Sequence, residues 1–191
     1  MFARVLTALL LSVTFAYPAA DLYDYKVLAT NKTSTMQNEL NAAAQEGFRM
    51  EKAMGGESAY GGSEVIVVMS KEKSAASRGR FAYKLLATNK TSTMQKELNE
   101  AGNEGFEYKD QTIFNSTFGG NEVVVIMESD REANPRVRFE YKLLATSRTA
   151  TMQKELLEAG AEGYKFVGVT VSKTAYGGKE VVSILYKKLP Y

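Results

Sequence analysis

The hexapeptide Tyr83-Lys84-Leu85-Leu86-Ala87-Thr88 occurs in three closely related versions, each 58 residues after the previous one. The same spacing holds further along each copy, with no insertion between the landmarks. The recurring residues are Tyr25, Tyr83 and Tyr141; Met36, Met94 and Met152; Gly47, Gly105 and Gly163; and the Gly-Gly pairs that begin at Gly61, Gly119 and Gly177. Three tandem copies of one unit predict a repeat architecture.

Each unit shows the pattern of one strand, one helix and two further strands. The first strand has a period of two, with Tyr83, Leu85 and Ala87 on one side and Lys84, Leu86 and Thr88 on the other. Ser34 with Gln37, and Ser92 with Gln95, have the spacing of a capping box at a helix start. Met94 and Leu98 then recur at helical spacing, and Gly105 is the residue type that commonly follows a helix end. The last strand of each unit is strongly apolar, over residues 65–69, 123–127 and 181–185. An unbroken apolar run indicates burial on both faces.

The predicted fold class is therefore α+β, with three tandem β-α-β-β repeats. Each repeat is expected to form a three-stranded antiparallel sheet, in the strand order first-third-second, with one helix on one face. A unit of about 60 residues is only marginally stable alone, because it buries only about 60% of the surface that its unfolded chain exposes. We therefore expect the sister repeats to cover the second face of each sheet, and a pseudo-threefold arrangement is one way to do so.

The repeat also sets the domain boundaries. Polar segments with Lys, Arg, Glu and Ser separate the units and are typical of solvated linkers. The predicted organisation is a signal peptide (1–20), repeat one (21–70), a linker (71–80), repeat two (81–128), a linker (129–138) and repeat three (139–191).

The first 20 residues lie outside the repeat and indicate export. Arg4 supplies a positive charge, and residues 5–15 supply an apolar segment that is too short to span a bilayer. Cleavage after Ala16 and after Ala20 both remain open. The expected location is secreted or periplasmic, with no membrane span after cleavage.

Composition disfavours most catalytic chemistry. The chain has no histidine and no cysteine, which removes the usual nucleophile–base pairs and most transition-metal ligands. A formal charge of +2 gives no electrostatic reason to bind nucleic acid. We therefore expect a non-enzymatic protein without a cofactor or a metal site.

Two sets of recurring residues are candidate sites. One is the aromatic residue before each Gly-Gly pair, which either pins a hairpin loop or presents a ring to a ligand or partner. This set is Tyr60, Phe118 and Tyr176. The other is a lysine in the first strand with a glutamate at the start of the third, either as a cross-strand ion pair or as a polar site at the repeat junction. This set is Lys26, Lys84 and Lys142 with Glu64, Glu122 and Glu180.

The run from Leu98 to Phe106, with Phe81-x-Tyr83-Lys84 before it and an apolar last strand after it, resembles the bacterial domain-of-unknown-function family 4177. The resemblance covers each repeat, from about Tyr23 to Lys187 in all. It implies a β-α-β-β fold and no assigned activity. Where the family has a tryptophan at the helix end, this chain has Phe48, Phe106 and Tyr164, and Leu157 replaces the asparagine found at Asn41 and Asn99.

Three functional hypotheses follow. The first is an exported binding or structural module whose partner is an unknown protein. The second is a carrier that holds a small apolar or aromatic ligand between repeats. The third is self-association through exposed sheet edges, because unpaired strand edges readily pair with other chains.

Overall fold

The computed structural model describes residues 22–57, 63–74, 78–88, 90–115, 121–173 and 179–190. Within them the order strand, helix, strand, strand occurs three times. Repeat one contains β1 (Tyr23–Thr30), α1 (Thr33–Gln45), β2 (Arg49–Glu57) and β3 (Ser63–Glu72). Repeat two contains β4 (Phe81–Thr88), α2 (Thr91–Asn103), β5 (Glu107–Asn115) and β6 (Asn121–Asp130). Repeat three contains β7 (Val137–Thr146), α3 (Thr149–Ala161), β8 (Lys165–Lys173) and β9 (Lys179–Pro190).

Each repeat forms its own antiparallel sheet, which confirms the predicted fold class. The orders are β1-β3-β2 in sheet 1, β4-β6-β5 in sheet 2 and β7-β9-β8 in sheet 3. The most apolar strand is central in each sheet, as predicted. The second strand of every repeat has a register shift near its start.

The three helices have the predicted apolar stripe and the predicted end. In α2, Met94 and Leu98 are buried, and Gly105 follows the helix with a φ of 88°. Glycine adopts a positive φ without steric strain, so it suits this position. The capping box predicted from Ser34 and Gln37 is wrong, because α1 begins at Thr33 without a side-chain cap and Gln37 bonds to the next repeat.

Successive side chains of a strand point to opposite faces, so each sheet has a helix face and a back face. In sheet 2, Val123 and Val125 pack with α2 on the helix face, whereas Val124 and Ile126 point to the back face. The back face joins a core made by α1 and the helix face of sheet 1. The back face of sheet 3 joins the corresponding core of repeat two. The expectation that sister repeats cover the second sheet faces is confirmed for sheets 2 and 3.

The two cores connect only successive repeats. One contains residues of repeats one and two, and the other contains residues of repeats two and three. The described residues therefore form an open stack, in contrast to the closed pseudo-threefold arrangement considered above. We call the contact between two successive repeats a junction. This stack has two junctions, and at each of its ends one face is not covered by another repeat.

One polar residue interrupts the apolar central strand of sheet 3. Ser183 is fully buried, and its hydroxyl has no hydrogen-bond partner among the described residues. The equivalent residues of repeats one and two are Val67 and Val125, both fully buried. A buried hydroxyl without a partner costs roughly 1–3 kcal/mol in proteins.

We therefore expect Ser183→Val to raise the free energy of unfolding by about 1–2 kcal/mol, because it removes the unpaired hydroxyl and restores the valine of the other repeats. Urea denaturation followed by circular dichroism measures this change. Val125→Ser, its reverse at the equivalent position of repeat two, is the control and should lower the free energy of unfolding. A loss of stability in Ser183→Val would show that the hydroxyl is satisfied.

Candidate functional site

Each junction begins at the first strand of the following repeat, whose outer edge is capped by side chains of the preceding helix. The Asn41 amide donates to the carbonyl oxygen of Tyr83 at 2.9 Å and accepts from the Tyr83 N–H at 2.9 Å. Gln37 accepts from the N–H of Leu85 at 2.8 Å. The second junction repeats this pattern, with Asn99 on Tyr141 and Gln95 on Leu143. These bonds satisfy strand edges that would otherwise be open to pairing.

On the other side of the first junction, side chains of β5 form hydrogen bonds with the unpaired edge of β2. Asp110 is buried, and its carboxylate accepts from the Ala53 N–H at 2.8 Å and from the Lys52 ammonium at 2.9 Å. Thr112 Oγ1 accepts from the Gly55 N–H at 2.7 Å. Side chains on the back face of sheet 2 therefore replace the missing neighbour strand of sheet 1.

A buried tyrosine links the two sides of each junction. The hydroxyl of Tyr83 accepts from the Met50 N–H at 2.8 Å and donates to Glu128 at 2.8 Å. Burial raises the pKa of the Tyr83 hydroxyl well above its ordinary value. Arg49 donates to Glu128 with two nitrogens, and this hydrogen bond raises the pKa of Arg49. In the second junction the hydroxyl of Tyr141 accepts from the Tyr108 N–H at 2.6 Å.

The expected ion pairs between first-strand lysines and third-strand glutamates do not form. Lys26 lies opposite Met69, whereas β1 ends at Thr30, opposite Val65, before Glu64 is reached. Each lysine instead pairs with the glutamate after its own helix and lies over the aromatic ring two residues further on. The pairs are Lys26–Glu46, Lys84–Glu104 and Lys142–Glu162, at 2.5–2.6 Å, over Phe48, Phe106 and Tyr164.

The physical reason is the position of the helix end. The chain turns at the glycine after each helix and brings Glu46 beside the middle of β1, nearer to Lys26 than Glu64 at the start of β3 is. Glu64, Glu122 and Glu180 are half-buried at the start of the third strands. Tyr60, Phe118 and Tyr176 lie outside the described residues, so the loop-aromatic site stays a prediction.

The exposed large apolar side chains of the described residues form two groups, one at each end of the stack. The first group lies mainly on the back face of sheet 1, and we call it the first-end face. It comprises Leu22, Tyr23, Tyr25, Val27, Met54 and Ile66. Tyr25 is 67% exposed, whereas its equivalent Tyr83 is 3% exposed. The difference arises because no repeat of the described chain packs on sheet 1 from that side.

The second group lies on repeat three, and we call it the last-end face. It comprises Leu157, Phe166, Val169 and Val171. Leu157 is 66% exposed and stands at the helix position where Asn41 and Asn99 cap the next strand. Only Ala159 of α3 is buried, whereas four residues each of α1 and α2 are buried. The last-end face is therefore one half of a junction without its other half.

Both end faces expose large apolar side chains. Large exposed apolar patches on a protein surface mark protein or membrane interaction sites or ligand-binding grooves. The part of the chain that the structure describes contains no cluster of carboxylates that could hold a metal ion. Within that same part, none of the helices is long and apolar enough to cross a bilayer.

Comparison of the chain with models of protein families, with curated proteins and with solved structures gave no significant match. The resemblance to family 4177 therefore stays a prediction.

Proposed function

We propose that this protein is an exported, non-enzymatic binding or structural module. The observation that carries the proposal is the exposure of the first-end face, whose equivalents on sheets 2 and 3 are buried. A surface built from Tyr25, Val27 and Ile66 is the kind that a protein partner covers. The absence of histidine and cysteine from the sequence supports a non-catalytic role.

The hydrophobic effect supplies the reason for binding there. Each apolar side chain on the first-end face contributes roughly 25 cal/mol per Å² of area that a partner removes from water. Tyr25 adds a ring with a hydroxyl at its tip, a combination that is common at protein interfaces. The face thus combines apolar area with a directional hydrogen-bonding group.

A surface site agrees better with the packing than a ligand held between repeats. The two junction cores are filled by fully buried side chains, such as Leu40 and Ile126 in the first and Leu98 and Ile184 in the second. A cleft of roughly 340 Å³, formed by residues of all three repeats, is lined largely by charged residues, among them Arg49, Glu128 and Lys188. Such a lining does not suit an apolar ligand.

A photo-crosslinking residue at Val27 tests the proposal in cells that express the full chain. Because Val27 lies in the middle of the first-end face, we expect discrete cross-linked species after irradiation. The matched control carries the same residue at Lys96, on the solvent side of α2. Adding Ile66→Glu to the Val27 variant should abolish the cross-links, because a charge then lies within the apolar face.

Two results would count against the proposal. One is the absence of cross-links from Val27. The other is an identical set of cross-links from Val27 and from Lys96, which would show that contact at this face is not specific.

A further inference from the structure

We propose that the partner of the first-end face is the last-end face of a second copy of this chain, which joins head to tail. This inference rests on the proposed function and names the partner for the same surface. Its basis is that each face is one half of the junction that occurs twice within the chain. The open stack would then continue from repeat three of one copy to repeat one of the next.

Equivalent positions in the repeats place a tyrosine where it can link the two faces. Residues 58 apart occupy equivalent places, so Phe166 corresponds to Met50 and Tyr108. The N–H groups of Met50 and Tyr108 donate to the tyrosine hydroxyl of the following repeat. The tyrosine that would follow Phe166 in a second copy is Tyr25, which is exposed. The same bond can therefore form between two molecules.

A glycine in α3 leaves space for the close approach of a strand from a second copy. A Cβ at Gly102 would overlap the carbonyl oxygen of Phe139, so β7 approaches the backbone of α2 closely at this glycine. Gly160 is the equivalent residue of α3, and no described residue lies within 4 Å of the Cβ it lacks. A glycine within a helix costs roughly 1 kcal/mol relative to alanine. Among the described residues of one chain no contact at Gly160 offsets this cost, whereas an approaching strand of a second copy would do so.

The first-end face and the last-end face also match in chemistry. The internal junctions place Thr112 and Thr170 on the back faces, and sheet 1 has Met54 at that position. On the opposite side, Val169 takes the place of Ala53 and Gln111. Both halves of the outer junction are thus more apolar than the inner ones. Leu157, at the position equivalent to Asn99, also makes the last-end face more apolar than the inner junction.

The two ends of this stack lack the polar surface that usually closes a stack of repeats. Terminal repeats of soluble stacks present a polar outer surface, because the end has no neighbour to cover it. Here both described ends expose apolar side chains, including Val27 and Leu157. An interface made of two different faces is heterologous and produces either a ring or an open chain of copies.

The experiment is a sedimentation-velocity series on the protein as cells produce it, with two blocked variants. Gly160→Leu fills the space that a second copy would occupy, and Ile66→Glu places a charge on the opposite face. We expect the wild type to associate as its concentration rises, and each variant to associate about tenfold or more weakly. Circular dichroism should show that both variants are folded.

A mixture of the two variants is the decisive sample. Gly160→Leu retains an intact first-end face and Ile66→Glu retains an intact last-end face, so an equimolar mixture should form a one-to-one dimer that does not extend. Two observations would overturn the inference: a wild type that remains monomeric at every concentration, or variants that associate as strongly as the wild type. An intramolecular cross-link from position 27 to residues 1–21 would also overturn it, because that segment would then cover the face.

The two proposals fail in different ways. If the purified wild type is monomeric while the Val27 probe still captures a different protein, the head-to-tail inference is wrong and the binding module stands. If the probe captures nothing, both are wrong.

Discussion

Gly102→Ala is expected to destabilise the protein, whereas Gly160→Ala is expected to stabilise it. Both glycines lie at equivalent positions within helices, where alanine is favoured by roughly 1 kcal/mol. At Gly102 the added methyl group meets the backbone of β7, including the Phe139 carbonyl, and backbone atoms cannot rotate away. Overpacking of this kind costs typically 1–3 kcal/mol and occasionally more, so we expect a net loss of about 1–3 kcal/mol.

At Gly160 the methyl group enters open space, and the gain of about 1 kcal/mol remains. Urea denaturation of both variants, at a concentration low enough to keep the protein monomeric, gives the two values. Their difference, about 2–4 kcal/mol, is the quantity of interest, since the two changes are chemically identical. Equal effects of the two substitutions would show that α2 and β7 do not approach as described.

Ile126→Ala is expected to lower the free energy of unfolding by about 2–5 kcal/mol, the usual range for a large-to-small change in a core. Ile126 is 0% exposed, and it points away from the helix of its own repeat into the core shared with repeat one. The substitution therefore leaves a cavity at the junction between repeats. Thermal and urea denaturation both measure the loss.

Ile66→Ala is the matched control, because Ile66 lies on the same face of an equivalent sheet and is 43% exposed. We expect it to cost about 1 kcal/mol or less in the monomer. If Ile126→Ala were as mild as Ile66→Ala, repeat one would not cover sheet 2, and the repeats would be independent domains.

The elements of one repeat could be predicted from the sequence because short-range patterns determine them. The run from Val123 to Met127 has no polar interruption, which required burial on both faces and so a central position in the sheet. Gly105 marked the helix end for a conformational reason. Both inferences use only residues within one repeat, and the three copies agree on them.

The junction could not be predicted, because its contacts join residues of different repeats. Asn41 and Gln37 recur as Asn99 and Gln95, one helical turn apart, and this recurrence was the available signal. It indicates a shared role, but the partners are backbone groups of β4 and β7. Because nearly every residue has such groups, the sequence does not show which of them are bound. Gln37 was assigned to a helix cap because the local spacing fits a capping box equally well.

The predicted ion pairs between first-strand lysines and third-strand glutamates were wrong for a related reason. Recurrence at one spacing suggested that Lys26 and Glu64 belong together, yet every residue of a repeat recurs at that spacing. Lys26 had another carboxylate, Glu46, in reach once the chain turned back at Gly47. The repeat period identifies equivalent residues and gives no information on which of them are in contact.

The equivalence of the two junctions bears on how such a chain changes in evolution. If unequal recombination between gene segments deleted repeat two, α1 would meet β7 in place of β4. Gln37 and Asn41 would find the backbone groups that Gln95 and Asn99 bind now, since those groups sit at the same sequence offset. Duplication of a whole unit would likewise create a junction whose two sides already fit. The number of repeats can therefore vary among descendants of this gene without any new interface having to arise.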